Sequence, residues 1–337
     1  MLNLSVLDLT PISEGYSSVE SLHQSLALAK AVEKWGYQRY WLSEHHNTNM
    51  LVSASPEILA GQIAAHTQRI KVGTGGIMLP NHTPLKVAEN FRLLSALYPD
   101  RIDLGLGRAP GTDLRTAYEL RGSGHSHGED FPQQLTRLLD YLHTNEGPIQ
   151  AIPLEAKAPD VWLLGSSTFS AQLAAARGLP FAFAHHIQPE PAEAALRLYR
   201  ENFQPSAYFS APQAMVAVSA ICAESDEAAQ DLAQSADLMW LRFRQRQGRP
   251  GPIPSLATAK AQMHSAEEKA FMAASRQRMF VGSAETVYHH LSALSKRLGS
   301  EEVMVSTIIH EPEARQRSYE LLAQYAAMQP NAPQKVS

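Results

Sequence analysis

The sequence predicts an α/β fold of the (β/α)8 TIM-barrel class, with insertions after the fourth strand and before the eighth. Three observations carry that expectation. Strand-like and helix-like segments alternate in eight pairs, most links between them are short, and several strand-like runs stop on polar residues or glycines that a core does not favour. Parallel strands joined through helices take right-handed crossovers, and eight in succession close on themselves rather than spreading as an open sheet. Ligands of such barrels bind at the carboxyl ends of the strands, so the polar strand ends locate a site before its chemistry is known. The chain of 337 residues suffices for one barrel domain over residues 1–328, since this fold needs about 250 residues and tolerates insertions. Residues 329–337 are expected to be a disordered tail.

The first strand is expected over residues 2–8. Ser17 and Glu20 then give a capping-box pattern ahead of Val19, Leu22, Leu26, Ala29 and Val32 at helical spacing, so a helix follows. Residues 39–45 form the second strand and 56–66 its helix, with Pro56 suited to a first turn that has no use for its N–H. The third pair is 70–79 and 84–98, with Val87, Phe91 and Leu94 on one face. After the fourth strand, at 101–107, a glycine- and histidine-rich stretch at 109–128 delays the helix to 131–143; a stretch of that length reads as a functional loop or lid. Strands at 161–165, 181–185, 215–222 and 302–308 and helices at 170–177, 191–203, 226–246 and 312–328 complete the set. Between the seventh helix and the eighth strand, Gly248-Arg249-Pro250-Gly251-Pro252-Ile253-Pro254 excludes regular structure and starts an excursion over the barrel mouth.

Composition narrows the function. A formal charge of −4 with no run of Lys or Arg argues against nucleic acid or an anionic membrane as partner, because such binding draws on clustered positive charge. Hydrophobic residues make up 44% and charged ones 18%, ordinary for a chain that buries a substantial core. Cys222 is the single cysteine, which excludes an internal disulfide and a Cys-based zinc site and fits a reducing compartment. No apolar run reaches the roughly 18 residues that a membrane span requires. A cytoplasmic protein acting on a small molecule is therefore expected, with a homodimer through the second and third helices as an open possibility.

Four strand ends carry the candidate chemistry. The second ends in Glu44-His45-His46. Alternation sends Glu44 and His45 to opposite faces, leaving either a capped strand end with one buried histidine or an acid/base group at the catalytic face. In Val72-Gly73-Thr74-Gly75-Gly76-Ile77-Met78-Leu79-Pro80 the glycines interrupt a strand, which is not how a phosphate loop is built. They mark a packing bulge or the close approach of a flat aromatic ring. Leu104-Gly105-Leu106-Gly107-Arg108 sets a guanidinium on the rim, for a phosphate or for an ion pair with Asp113. Gly165-Ser166-Ser167 leads through Thr168-Phe169-Ser170 into a helix, offering free N–H groups, a favourable dipole end and hydroxyls to a dianion. His185 and His186, ending the sixth strand, are candidates for the substrate side. His125 and His127 lack a carboxylate third ligand and read as part of a solvated lid rather than a metal site.

Together these segments resemble the bacterial luciferase-like monooxygenase family, especially its single-chain, alkanal monooxygenase-like, FMN-dependent members. The likeness is densest over residues 2–180 and rests on Trp41-Leu42-Ser43-Glu44-His45-His46, the stretch 72–80, Arg101-Ile102-Asp103-Leu104-Gly105-Leu106-Gly107-Arg108, and the stretch 161–180. It implies a flavin-dependent monooxygenase that uses reduced FMN, delivered by a separate flavin reductase, and O2 to oxidise an aldehyde or similar small organic substrate. His45, with Glu44 beside it, would be catalytic. Gly75 and Gly76 would flank a non-prolyl cis peptide under the isoalloxazine ring, and Gly165, Arg108, Ser166, Ser167 and Ser170 would bind the cofactor's phosphate end. Where luciferases carry an acidic residue beside the phosphate serine this chain has Ser166, and their second phosphate arginine has Arg115 or Arg121 as its stand-in. Two other readings stay open: hydride transfer with coenzyme F420 on the same fold, and a non-catalytic flavin-binding protein.

Overall fold

Nine parallel strands form a single sheet that curls until it meets itself. The computed structural model describes residues 2–109, 111–121, 130–245 and 251–329. In chain order the elements are β1 (Asn3–Asp8), α1 (Ser18–Lys34), β2 (Arg39–Leu42), α2 (Pro56–His66), β3 (Lys71–Met78), α3 (Pro84–Leu97), β4 (Ile102–Gly107), α4 (Leu114–Arg121) and α5 (Phe131–Leu139). There follow β5 (Asp160–Gly165), α6 (Thr168–Arg177), β6 (Phe181–Ala184), α7 (Ala192–Glu201), β7 (Ala214–Ala223) and α8 (Asp226–Gln245). The last are α9 (Leu256–Ala261), α10 (Ala266–Arg276), β8 (Met279–Ser283), α11 (Ala284–Leu298), β9 (Glu302–Ser306) and α12 (Pro312–Met328).

Eight strands close the barrel, as the sequence predicts. β1 to β6 pair in succession, β6 pairs with β7, and β9 bridges β7 to β1. β8 stands off this ring, hydrogen-bonded along residues 219–223 in the second half of β7. It belongs to the insertion before the closing strand, with α9, α10 and α11, and was not anticipated. The insertion after β4 likewise contains a helix, α4, where the sequence suggested loop. Residues 110 and 122–129, with His125 and His127, lie outside the described residues, as do 246–250 and 330–337.

Side chains sort by strand alternation. Outward-facing Val6, Tyr40, Leu42, Val72, Leu104, Leu106, Phe181, Phe183, Val303 and Val305 pack against the helices in the main core. The inward faces build a smaller cluster of Leu7, Trp41, Trp162, Ala182, Met215, Ala217 and Met304. At the amino-terminal end the interior is filled by charge: Arg39 reaches Asp103 at 2.7 Å and Glu302 at 3.1 Å, and Lys71 reaches Asp160 at 2.6 Å. Trp41 caps this layer by donating from Nε1 to Asp103 at 2.9 Å, and its ring meets Trp162 edge to face at 5.5 Å. The barrel is thus closed beneath by paired ions and indoles, and any site must sit above them. Among the described residues, no helix is long and apolar enough to cross a membrane.

Candidate active site

The carboxyl end of the barrel is built small where its floor is built large. Above the Trp41 and Trp162 layer, the inward faces carry Ser43, Gly75, Gly107, Leu164, Ala184 and Ser306. Gly75 lies over that floor: a Cβ there would meet Leu7 Cδ1 at 2.7 Å and Trp41 Cε3 at 3.3 Å. The β3–β4 register shifts at this point, with Thr74 paired to Leu104 and Ile77 to Leu106. Gly75 and Gly76 therefore oppose the single residue Gly105, a bulge, and the peptide between them is cis. Side chains are excluded on both sides, since a Cβ on Gly76 would stand 2.5 Å from Gly105 O and one on Gly105 2.0 Å from Thr74 O. Of the two alternatives for these glycines, a packing bulge or the close approach of a flat ring, the bulge is present.

Beyond Leu42 the chain leaves the ladder earlier than the expected strand end at 45, because its groups find partners elsewhere. Glu44 is fully buried and turned away from the barrel axis. Its carboxylate accepts from the Met78 N–H at 2.8 Å, from His46 Nε2 at 2.8 Å, from His82 Nε2 at 3.0 Å and from Asn81 Nδ2 at 3.3 Å. Burial works against its charge, but the bonds from His46 and His82 prevail and hold the carboxyl down to about 2. Glu44 was expected to act beside His45; what the structure gives is its set of four donors. A carboxylate held by these donors braces the ends of β2 and β3. His82 and Asn81, in the turn after β3, were missed as its partners; nothing short of the tertiary contact marks them.

His45 is placed on the other face, in line with Trp41 and Ser43. Its N–H donates to Ser53 O at 2.8 Å, and its Nδ1 lies 3.0 Å from Ser43 Oγ in a hydrogen bond. Among the described residues, no protein group engages Nε2. Burial pushes the imidazole down to about 4, with Glu44 opposing and His46 assisting, so at neutral pH it is uncharged.

Opposite lies the start of α6. Ser167 is its N-cap residue with extended backbone, yet its side chain makes no capping bond. Ser17, Ser255, Ser265 and Ser283, at the starts of α1, α9, α10 and α11, all do. Among the described residues, the hydroxyls of Ser166, Ser167 and Ser170 have no protein partner. Gly165 permits the close turn, since a Cβ there would be 2.3 Å from Ser170 Oγ. Arg108 leans across with its guanidinium 4.4 Å from the Phe169 ring centre. Asp113, the other partner considered for Arg108, instead accepts from Thr116 Oγ1 at 2.7 Å and from the N–H groups of Arg115 and Thr116. Arg115 is exposed on α4, while Arg121 donates to Asn81 Oδ1 at 3.0 Å, on the β3 side.

The two histidines after β6 part company. His186 Nδ1 bonds Ala217 O, in β7, at 3.1 Å. His185 stacks on Phe280 of β8 at 6.1 Å and is held down to about 4 by burial first and by Arg297 next. Both were expected on the substrate side; the stacking on Phe280 sets His185 against β8.

Two segments flank the mouth. The link into α4 is tied to the end of β2 by Thr112 Oγ1 on His46 O at 3.2 Å and by Asn47 Nδ2 on Thr116 Oγ1 at 2.9 Å. The strap from residue 251 pairs Ile253 with Ser13, and Glu14 takes Arg242 at 2.8 Å, the Ser255 N–H at 3.1 Å and Thr258 Oγ1 at 2.9 Å.

The class defined here is a closed parallel (β/α)8 barrel with a histidine, a glycine bulge and an open helix start at its carboxyl end, the end where such barrels bind their ligands. Comparison with known proteins gives the family. The profile described as luciferase-like monooxygenase matches residues 2–302, and the chain belongs to that family. It is 42% identical over 319 residues to a luciferase-like monooxygenase of Escherichia coli (strain K12), covering 94% of this chain and 95% of the other. It is 30% identical to an N-acetyl-S-alkylcysteine monooxygenase of Bacillus subtilis (strain 168), covering 96% and 98%. Among solved structures, apo-MsnO8 superposes with a TM-score of 0.91 at 36% identity, over 98% of this chain and 100% of that one. The oxygenating constituent of 3,6-diketocamphane monooxygenase from Pseudomonas putida, solved in complex with FMN, shares the fold at a TM-score of 0.70 and 19% identity, over 99% and 100%.

Proposed function

We propose that the protein is a cytoplasmic, FMN-dependent monooxygenase that receives reduced FMN from a separate flavin reductase and, with O2, oxidises an aldehyde or similar small organic molecule. The observation that carries the reading is the uncapped start of α6, where three unengaged serine hydroxyls and the helix N–H groups face the anion such a start attracts. The flat glycine bulge and the small inward-facing layer beside it suit a planar tricycle, because the nearest Cβ positions are vacant there. Reduced flavin, when bound, supplies the electrons that let one atom of O2 enter the substrate.

The remaining parts of the site belong to this chain. Gly75 and Gly76 would support the ring, and Arg108, Ser166, Ser167 and Ser170 would hold the phosphate. His45, neutral and with a free Nε2, would hold or move a proton beside the ring. Glu44 keeps the ends of β2 and β3 in place, and the segments around α4 and residue 253 limit the access of water.

Titration of the purified protein with oxidised FMN, riboflavin and F420, followed by flavin fluorescence, tests this. FMN is expected to bind at least tenfold more tightly than riboflavin, and O2 uptake is expected when a reductase and an aldehyde are added. Selective binding of F420 would point to hydride transfer instead, and tight FMN binding with no coupled O2 uptake on any substrate to a flavin-binding protein. His45→Ala is expected to keep the FMN affinity and lose turnover; unchanged turnover removes His45 from the chemistry.

A further inference from the structure

We propose that Ser43 is a positioning residue that fixes the proton of neutral His45 on Nε2, so that the histidine presents an N–H donor and not a lone pair to the barrel mouth. The inference deepens the reading of His45 as the group beside the cofactor, but its basis is the protein alone. Ser43 is buried, 2% exposed, and its hydroxyl carries one hydrogen that needs an acceptor. Among the described residues, the one side-chain or main-chain atom that Ser43 Oγ engages is His45 Nδ1, at 3.0 Å.

Two arrangements are compatible with that distance. If Nδ1 carries the hydrogen, it donates to Ser43 Oγ, and the Ser43 hydrogen is left in a buried position with no acceptor. If Nδ1 is bare, Ser43 donates to it, and the ring hydrogen lies on Nε2, which is not among the buried atoms left without a partner. Buried donors without acceptors are rare in folded proteins, which selects the second arrangement. The remaining ring hydrogen then sits on Nε2, the nitrogen that no protein group engages.

The neighbouring charges do not disturb this assignment. Glu44 and His46 are the ionisable groups that act on His45, and Glu44 is committed to the other face. Burial keeps His45 uncharged at neutral pH, so the tautomer and not the protonated ring is the state to be read. A histidine in this state enters the reaction cycle as a proton or hydrogen-bond donor at Nε2.

The test is nitrogen NMR on protein labelled with 15N histidine, recorded near pH 7 without flavin, with the His45 signals assigned by their loss in His45→Gln. In wild type, Nδ1 is expected at the frequency of an unprotonated ring nitrogen, drawn upfield by its hydrogen bond, and Nε2 at that of a protonated one. Ser43→Ala is expected to admit a population protonated at Nδ1, which draws Nδ1 upfield and Nε2 downfield as the two tautomers average, and Ser43→Thr to restore the wild-type pattern. A wild-type spectrum with Nδ1 protonated, or a folded Ser43→Ala variant with unmoved shifts, overturns the proposal. The wild-type spectrum decides the tautomer even if Ser43→Ala fails to fold. Because no cofactor is present, a failure of FMN to bind would overturn the proposed function and leave this result standing.

Discussion

Glu44→Gln is the most telling single change, because the structure fixes both its size and its pH dependence. The carboxylate is buried among four donors, and its pKa lies at about 2 against the usual 4.5. At about 1.4 kcal/mol per pH unit, that difference corresponds to about 3 kcal/mol of folding stability. An amide in its place turns an N–H2 toward groups that are themselves donors, so most of that stability should be lost. The folded-state pKa of Glu44 is depressed, so its contribution is present above 4.5 and disappears as pH falls toward 2. His82 moves the opposite way: burial resists its charge, but the bond to Glu44 raises its pKa. Its share is complete below 6.5 and fades as pH rises through the raised value. The wild-type minus Glu44→Gln difference is therefore expected to peak between pH 4.5 and 6.5 and to fall steeply on the acid side. Urea unfolding followed by circular dichroism from pH 8 to pH 3 measures it. A loss below about 0.5 kcal/mol, in the range of an ordinary surface change, or a difference that does not vary with pH, refutes the reasoning.

Three further outcomes follow from the geometry. Ser283→Ala should cost about 1 kcal/mol, the usual loss of a serine cap, whereas Ser167→Ala, whose hydroxyl caps nothing, should leave the melting temperature within about 1 °C and weaken FMN binding several-fold. Arg315→Met strands the buried carboxylate of Asp8, which Arg315 Nη2 reaches at 2.7 Å, and should cost about 3–5 kcal/mol in chemical denaturation; a loss under about 1 kcal/mol would show that Tyr40 and the Thr10 N–H suffice for Asp8. Gly105→Ala sets a Cβ 2.0 Å from the backbone oxygen of Thr74 and should destabilise by about 3 kcal/mol, the upper end for overpacking, read as a drop in urea midpoint.

The barrel was legible because its eight strands are buried on both faces and bounded by caps and glycines. Ser17 with Glu20, and Pro56, mark boundaries that the structure has. The insertion before β9 was anticipated, but the elements inside it were not, for a related reason. α10 buries none of its residues, so hydrophobic periodicity had nothing to register, and β8 is five residues long and half exposed. The capping box at Ser265 and Glu268 was the available signal for α10, and Gly299 for the end of α11. At the site, strand ends could be read but partners could not. The alternation rule separated Glu44 from His45 correctly, yet the commitment of Glu44 to the turn after β3 depends on Asn81 and His82, more than thirty residues away.

The forked pairing of β7 has a consequence for how this architecture can vary. Its first half closes the ring against β6 and β9, and its second half carries β8 as a branch. Closure and branch draw on successive stretches of one edge, so neither borrows the other's backbone groups. An appendage grafted at that point can lengthen, shorten or change shape over generations while the ring beneath keeps its circumference, which makes this corner a natural place for relatives to diverge in what they admit.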